Sequence, residues 1–142
     1  LLSAQAALRS LTKSNHACLL FTGSLQGVTS RPQRSAYTAS KHAIVGMVKA
    51  LAIEFGPLGV RVNAIAPASI DGAMLRTQLA NVTSDIDAAV AKVGASMPLG
   101  RLPSTDDFVN SAVFLASPMA RSISGHHLLV DCGAAAGISV KT

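Results

Sequence analysis

The feature that most constrains the fold is a continuous apolar run, Ala17-Cys-Leu-Leu-Phe-Thr22, which lies between two segments with helical periodicity. An apolar run of strand length in such an alternation is typical of a parallel strand that is buried on both faces and needs a neighbour on each side. Two further strands are predicted at Val60–Ala66 and His127–Asp131. Asn63, inside the second strand, is expected to be a structural amide that ties loops together rather than a group that contacts substrate.

Helices are predicted around and between these strands. Leu1–Leu11 has leucine and alanine at helical spacing, and Ser35–Phe55 has a broad apolar face and ends at a Gly-Pro-Leu-Gly sequence. Ser104, followed three residues later by Asp107, is a capping pattern for a helix that runs to about Ala116. The sequence therefore predicts an α/β fold with three parallel strands and intervening helices.

The segment Pro67–Gly100 is predicted to be irregular at first. A short helix should follow, capped by Ser84 with Asp87 three residues on, and it should stop near Gly94. The small-residue tail from Ala134 is expected to be a frayed terminus or an arm that contacts another subunit.

The composition is poor in charge for a small globule. Of the 142 residues, 49% are hydrophobic and 13% are charged, against roughly 25% charged in ordinary soluble domains. Large contacts with other chains or with further sequence are therefore expected, and residues 1–142 are predicted to be a single partial domain of a longer protein, because Leu1 already reads as helix. No signal peptide and no apolar run of membrane-spanning length is visible, which predicts a cytoplasmic protein with no membrane partner.

Several ligand classes are disfavoured. The net charge is +5, but the basic residues are dispersed and only four phenylalanines and one tyrosine are present, so no nucleic-acid partner is predicted. Cys18 and Cys132 are expected to be reduced, buried thiols in strands rather than a disulfide or a zinc site. His126 and His127 should point to opposite faces of one strand and serve packing or an interface, so no metal site is predicted.

The long predicted helix opens with Ser35-Ala-Tyr37-Thr-Ala-Ser-Lys41, which puts a phenol and an ammonium four residues apart on one face. A phenol with an ordinary pKa near ~10 is a poor proton shuttle at neutral pH. An ammonium about 5 Å from a phenolate oxygen, at an effective dielectric of roughly 20, stabilises the anion by about 3 kcal/mol. The spacing therefore suits general acid–base chemistry, although such a pair can also be a lysine that lies along a half-buried ring.

Three further motifs accompany this pair. Phe21-Thr-Gly-Ser-Leu-Gln-Gly27 places Ser24 after the first strand, Val60-Arg-Val-Asn-Ala-Ile-Ala-Pro67 covers the second, and Ser124-Gly-His-His-Leu-Leu-Val-Asp-Cys-Gly133 covers the third. Together with Tyr37 and Lys41 they resemble the C-terminal half of the short-chain dehydrogenase/reductase family, over nearly the whole chain. The resemblance implies the C-terminal half of a doubly wound Rossmann-type parallel sheet.

The resemblance also implies an NAD- or NADP-dependent oxidoreductase that interconverts a small-molecule carbonyl and an alcohol by hydride transfer. Tyr37 would be the general acid/base, Lys41 would support it and hold the nicotinamide ribose, and Ser24 would bind the substrate oxygen. Pro67 and Ile70 would contact the nicotinamide, and the segment after them would be a mobile substrate lid. A homodimer or homotetramer through the 35–55 helix is implied as well.

The sequence departs from the family pattern at three positions. Ala68 replaces a usual glycine, Gly72 stands where a threonine is expected, and Cys132 replaces one of two consecutive glycines. No glycine-rich turn follows any strand, so the cradle for the cofactor's pyrophosphate is missing from these residues and the chain alone is expected to be inactive.

Two other interpretations remain open at this point. The chain could be a noncatalytic fragment or pseudoenzyme that acts as an oligomerisation partner through its long apolar helix, or, more remotely, a nucleic-acid-binding module. An in-frame upstream strand with a glycine-rich turn would favour the enzyme, and a genuine start codon near Leu1 would favour the pseudoenzyme.

Overall fold

A computed structural model describes residues 2–137, in which helices and strands alternate as predicted. The helices are α1 (Leu2–Leu11), α2 (Ser35–Phe55), α3 (Ala73–Ala80), α4 (Ile86–Ala95) and α5 (Thr105–Ala116), and the strands are β1 (Cys18–Thr22), β2 (Arg61–Pro67) and β3 (His127–Val130). The predicted α/β class is confirmed.

The three strands form one parallel sheet in the order β1-β2-β3. Thr22 pairs with Ile65 and Pro67 pairs with Val130, so the carboxyl ends of all three strands meet at one edge. Both faces of β1 are covered, as predicted, because Leu19 and Phe21 pack on the cluster that contains α1 and α2, and Leu20 packs on the cluster that contains Leu115 of α5. Its residues are nevertheless half-buried or exposed, and within the described residues the strand has a neighbour on one side only, not the two that were predicted.

The two faces of the sheet are covered by different helices. Val62 and Ala64 of β2 pack against α1 and α2, whereas Ile65 packs against α5 and Leu115. Successive side chains of a strand point to opposite faces, so the apolar residues of β2 serve both layers. This strand is the buried centre of the structure.

Asn63 is fully buried and links β2 to the segment that leads into β3. Its Nδ2 donates to the carbonyl of Ile123 at 2.8 Å, and its Oδ1 accepts from the amide of His126 at 3.0 Å. The expected structural role is confirmed, because both polar atoms of the amide are used by backbone groups.

The N-terminal cap was predicted correctly for α5 and wrongly for α4. Ser104 and Asp107 form the expected reciprocal capping box of α5. Hydrogen bonds from Ser104, together with the guanidinium of Arg101, lower the pKa of Asp107 to about 2. For α4 the cap is Asp85, whose carboxylate accepts from the amide of Ala88, and not Ser84.

Other differences concern the ends of elements. Helix α3 was not expected, since its cap Gly72 has no side chain that could signal a helix start. Cys18 lies in β1 as predicted, whereas Cys132 lies beyond β3 in a left-handed conformation with φ 51°. Both are free thiols that are half-buried rather than buried. Leu1 and residues 138–142 of the predicted tail lie outside the described residues. Between residues 2 and 137, no helix combines the length and apolar character needed to cross a bilayer.

Substituting the buried amide tests its structural role. We expect Asn63→Leu to lower the free energy of unfolding by about 3 kcal/mol, because the Ile123 carbonyl and the His126 amide lose their partners in the interior. Equilibrium urea unfolding measures the loss. The matched control is Asn110→Leu, at an exposed position on α5, and equal losses in both variants would contradict the prediction.

Candidate active site

Helix α2 is fixed to the loop before it by side chains of its first turn. Its N-cap residue, Arg34, makes no side-chain capping bond. Instead, the Thr38 hydroxyl donates to Gln26 Oε1 at 3.1 Å and lies 3.2 Å from the Ser30 hydroxyl. Since its one proton is used, the Thr38 oxygen accepts from Ser30. The residue after Tyr37 is thereby joined to the loop that carries Ser24.

Tyr37 and Lys41 lie side by side on α2, as their spacing predicted. The ammonium of Lys41 is 5.6 Å from the centroid of the Tyr37 ring. The same ammonium donates to the carbonyl of Thr22, the last residue of β1, at 3.1 Å. Helix α2 therefore brings the phenol and the ammonium to the carboxyl edge of the sheet, where ligands of open α/β sheets bind. The Tyr37 side chain is 43% exposed, so this edge is open to a ligand.

Ser24 follows β1 by two residues and is buried, with 8% exposure. It caps a 3₁₀ turn, Leu25–Gly27, and its Oγ accepts from the amide of Gln26 at 3.1 Å. A hydroxyl that accepts from a backbone amide keeps its own proton available for donation. Ser24 thus has a proton to donate, and it lies two residues beyond Thr22, whose carbonyl Lys41 contacts.

The turn after β2 starts at the same edge. Pro67 ends β2, and the amide of Ala68 donates to the carbonyl of Val130 at 3.2 Å. Ala68 has no positive φ, so the alanine is not strained where the family pattern has glycine. At Gly72 a side chain would meet only Thr105 Oγ1 at 3.9 Å and Ile70 Cγ2 at 4.0 Å, which is ordinary contact. The turn therefore has space for the expected threonine but lacks its hydroxyl.

The segment after this turn is anchored at both ends. The amide of Asp71 donates to the carbonyl of Pro103, and Asp71 forms a parallel bridge with Ser104. At the other end Gly94 packs on backbone, because a Cβ there would lie 3.1 Å from the amide nitrogen of Leu102. Helices α3 and α4 lie between these two anchors.

An arginine joins the two helices of that segment. Arg76 forms a two-pronged ion pair with Asp71, with Nε–Oδ1 at 2.8 Å, and its Nη1 lies 2.9 Å from Asp87 Oδ1 on α4. The hydrogen bond from Arg76 lowers the pKa of the Asp71 carboxyl. Both ion pairs are largely exposed, so they fix the position of α3 relative to α4 more than they add to the free energy of unfolding.

Other surface features do not form part of this site. A groove of about 600 Å³ lies between α1 and the end of α2, where Leu51 and Phe55 line it. Its lining residue Leu51 is fourteen residues beyond Tyr37, or roughly 21 Å along the helix. Within residues 2–137, no three His, Cys, Asp or Glu side chains come together in a group that could hold a metal ion.

Sequence reasoning missed Thr22, Gln26 and Thr38. Thr22 contributes a backbone carbonyl, which any residue could supply, so no sequence signal marks it. Gln26 and Thr38 form a bond across twelve residues that only the folded loop brings together. Ser24, Tyr37, Lys41, Pro67 and Ile70 all lie on or beside the carboxyl edge of the sheet, and Tyr37 and Lys41 are in direct proximity.

Comparisons with known proteins give a consistent family. A family model described as enoyl-(acyl carrier protein) reductase matches residues 1–135. A 3alpha-hydroxysteroid dehydrogenase of Mediterraneibacter gnavus is 36% identical over 127 residues, which is 89% of this chain and 48% of that protein. The chain spans about half the length of the curated relatives that it matches.

Solved structures agree in fold. The aldohexose dehydrogenase of Thermoplasma acidophilum superposes with a TM-score of 0.91 at 30% identity, over 99% of this chain and 56% of that one. ElxO with NADP bound superposes with a TM-score of 0.82 at 27% identity, over 94% of this chain and 52% of its own.

The bond between Thr38 and Gln26 can be tested without any assumed activity. We expect Thr38→Val to lower the free energy of unfolding by about 1 kcal/mol and to speed amide exchange in residues 24–30, because the loop loses its tie to α2. Hydrogen exchange followed by mass spectrometry measures the second effect. Thr77→Val, at an exposed threonine of α3, is the matched control, and unchanged exchange in residues 24–30 would refute the role.

Proposed function

Because this chain belongs to the short-chain dehydrogenase/reductase family, we propose that it forms the catalytic half of an NAD(P)-dependent oxidoreductase that interconverts a carbonyl and an alcohol, with Tyr37 as general acid/base. The observation that carries the proposal is the Lys41 ammonium, which lies 5.6 Å from the Tyr37 ring and is bonded to the Thr22 carbonyl beside Ser24. In this proposal the phenol of Tyr37, the ammonium of Lys41 and the hydroxyl of Ser24 serve proton transfer to a carbonyl at this edge of the sheet.

The cofactor is NAD or NADP, and the residues here fit its nicotinamide half. Lys41 has three donors, of which the bond to Thr22 uses one, so two remain for ribose hydroxyls. Pro67 and Ile70 border the unstrained turn after β2 and would contact the ring, which exchanges a hydride with the substrate carbon when it is bound. These residues include no glycine-rich turn, so we expect the 142 residues alone to be inactive.

The proton path uses three side chains of this chain. In reduction Tyr37 donates its phenolic proton to the substrate oxygen, and in oxidation the phenolate takes the proton back. The Lys41 ammonium, 5.6 Å from the ring centre, places a positive charge beside the group that exchanges this proton. The Ser24 hydroxyl donates a hydrogen bond to the same substrate oxygen, since its own oxygen already accepts from Gln26. Charge that develops on the oxygen is thereby stabilised by groups that are already in position.

The substrate class we propose is a small-molecule alcohol or carbonyl compound. A hydroxysteroid dehydrogenase and an aldohexose dehydrogenase are among the similar proteins, and both names denote oxidation of a carbinol. The cytoplasm is the proposed compartment, because Cys18 and Cys132 are free thiols and such thiols persist under reducing conditions.

A homodimer or homotetramer through the 35–55 helix is also proposed, with one change from the sequence-based expectation. Leu51 belongs to the core of this chain and is not free to meet a partner, and Met47 is half-buried. One stripe of the exposed surface of α2 consists of small and apolar residues, namely Ala39, Ala43, Gly46, Ala50 and Ile53, and exposed polar residues such as His42 and Lys49 lie beside it. The same surface favours the second candidate function, a noncatalytic or pseudoenzyme assembly partner.

Replacing the phenol distinguishes the enzyme from the pseudoenzyme. In the protein produced from its complete coding sequence, Tyr37→Phe should lower kcat by about 10²–10⁴-fold, because the ring stays and the proton is lost. Cofactor affinity should change little, whereas Lys41→Ala should weaken both turnover and cofactor binding. Steady-state kinetics and fluorescence titration with NADH and NADPH measure these effects. Wild-type turnover in Tyr37→Phe would exclude the mechanism.

The interface is tested by charge insertion on α2. Ala43→Arg should dissociate the oligomer, since a guanidinium in a seam of small residues prevents close approach and is costly to bury. Light scattering coupled to size exclusion gives the mass. Ala88→Arg, the same change at an exposed position of α4, should leave the mass unchanged. An oligomer that survives Ala43→Arg at the same concentrations would place the interface elsewhere.

A further inference from the structure

The imidazole of His127 fills the space beneath the turn that carries Ser24. His127 is on β3, opposite Ala64 in the register, and its ring reaches the glycines on either side of that serine. A Cβ at Gly23 would lie 2.6 Å from His127 Nε2, and a Cβ at Gly27 would lie 3.1 Å from it. The absence of side chains at both glycines is therefore what gives the ring its place.

Helix α2 packs on the same turn. A Cβ at Gly27 would also lie 3.1 Å from Val45 Cγ2, so the turn lies close to both the ring and the helix. Gly23 and Gly27, which have no polar side chains, border this enclosure of the ring, and the nearby Ile65 carbonyl already accepts from the Gly23 amide at 2.7 Å.

Both nitrogens of the ring are buried, and neither has a hydrogen-bond partner among residues 2–137. Neutral imidazole has one N–H donor, whereas imidazolium has two donors and a full charge. An apolar enclosure disfavours the charged form. The site therefore accepts the neutral ring far better than the protonated one.

The titratable groups around the ring are basic. His42 on α2 and His126 on β3 act on His127, and Lys41, next to His42, carries an ammonium at the Thr22 carbonyl. The Leu25–Gly27 turn and the adjoining part of β2 contain no titratable side chain. Burial, and then the repulsion from His126 and His42, lower the pKa of His127, and no carboxylate offsets them among the described residues.

We propose that His127 is a positioning residue for Ser24, which supports the serine turn only as a neutral imidazole and releases it when the ring gains a proton. The consequence for turnover rests on the proposed function, whereas the effect on the turn does not. A proton on the ring forces it out of the enclosure or draws the Gly23–Gly27 turn open to water. The reactive edge is thereby coupled to pH through a residue that touches no substrate.

The direction of the pH effect follows from linkage. A histidine with a lowered pKa in the folded state binds fewer protons than it does when unfolded, so its contribution to stability is complete above its ordinary pKa of ~6.5 and is lost as the pH falls below that value. The acid side is therefore where the turn should loosen.

The test compares two adjacent histidines. His127→Leu replaces the imidazole with an apolar side chain of similar size that cannot be protonated. His126→Leu makes the same change at an exposed neighbour. Urea midpoints are measured between pH ~7.5 and ~5 in the protein produced from its complete coding sequence. Wild type and His126→Leu should lose midpoint concentration as the pH falls, and His127→Leu should lose clearly less. Parallel curves for all three proteins would overturn the proposal.

A second measurement covers the case in which His127→Leu does not fold. The ring resonances of His127 in the wild type, assigned through its backbone, should show a neutral imidazole at pH values where exposed histidines are already protonated. Titration at or above the ordinary value would overturn the proposal. Amide exchange of residues 23–27 should accelerate over the same pH range in the wild type.

Kinetics separate this inference from the proposed function. With each protein referred to its own kcat at pH ~7.5, the wild type should lose kcat on the acid side earlier than His127→Leu does. Coincident acid limbs would refute the positioning role. A protein without turnover at any pH would refute the proposed function, and the midpoint and ring-titration measurements would still decide about His127.

Discussion

The packing of α2 across β2 determines where Tyr37 and Lys41 lie. Val48 of α2 is fully buried against Val62 and Ala64, and the small alanine lets the helix approach the sheet closely. With the helix axis fixed in this way, its first turns extend to the carboxyl end of β1, where the Lys41 ammonium reaches the Thr22 carbonyl. A hydrophobic contact in the middle of a helix thus fixes the position of polar chemistry at its end.

Sequence reasoning succeeded where local physics is decisive. The Ser104 and Asp107 capping box, the long helix from Ser35 and the role of the Asn63 amide all follow from short-range pattern or from the cost of burying an unpaired amide. It failed at α3, whose start at Gly72 has no side chain to read, and at Asp85, which competed with an equally suitable serine beside it.

For the candidate site, the candidate reactive residues could be predicted from the sequence, but the contacts that hold them in place could not. Tyr37 and Lys41 are a spacing on one helix, so their proximity follows from the period of the helix. The bond from Thr38 to Gln26 and the position of His127 beneath the serine turn each depend on elements that are distant in sequence. No local sequence pattern predicts either contact, so both become visible only in the folded structure.

The two anchors of the segment after β2 have a mechanical consequence. Asp71 is fixed by backbone bonding to Pro103 and Ser104, and Gly94 is pressed on the backbone of Arg101 and Leu102. Any movement of α3 and α4, which Arg76 joins, would be limited at both ends by these contacts. It would carry the exposed Met74, whereas Pro67 and Ile70 precede the first anchor and would stay with the sheet. The turn after β2 would therefore keep its place while the two helices beyond it shift.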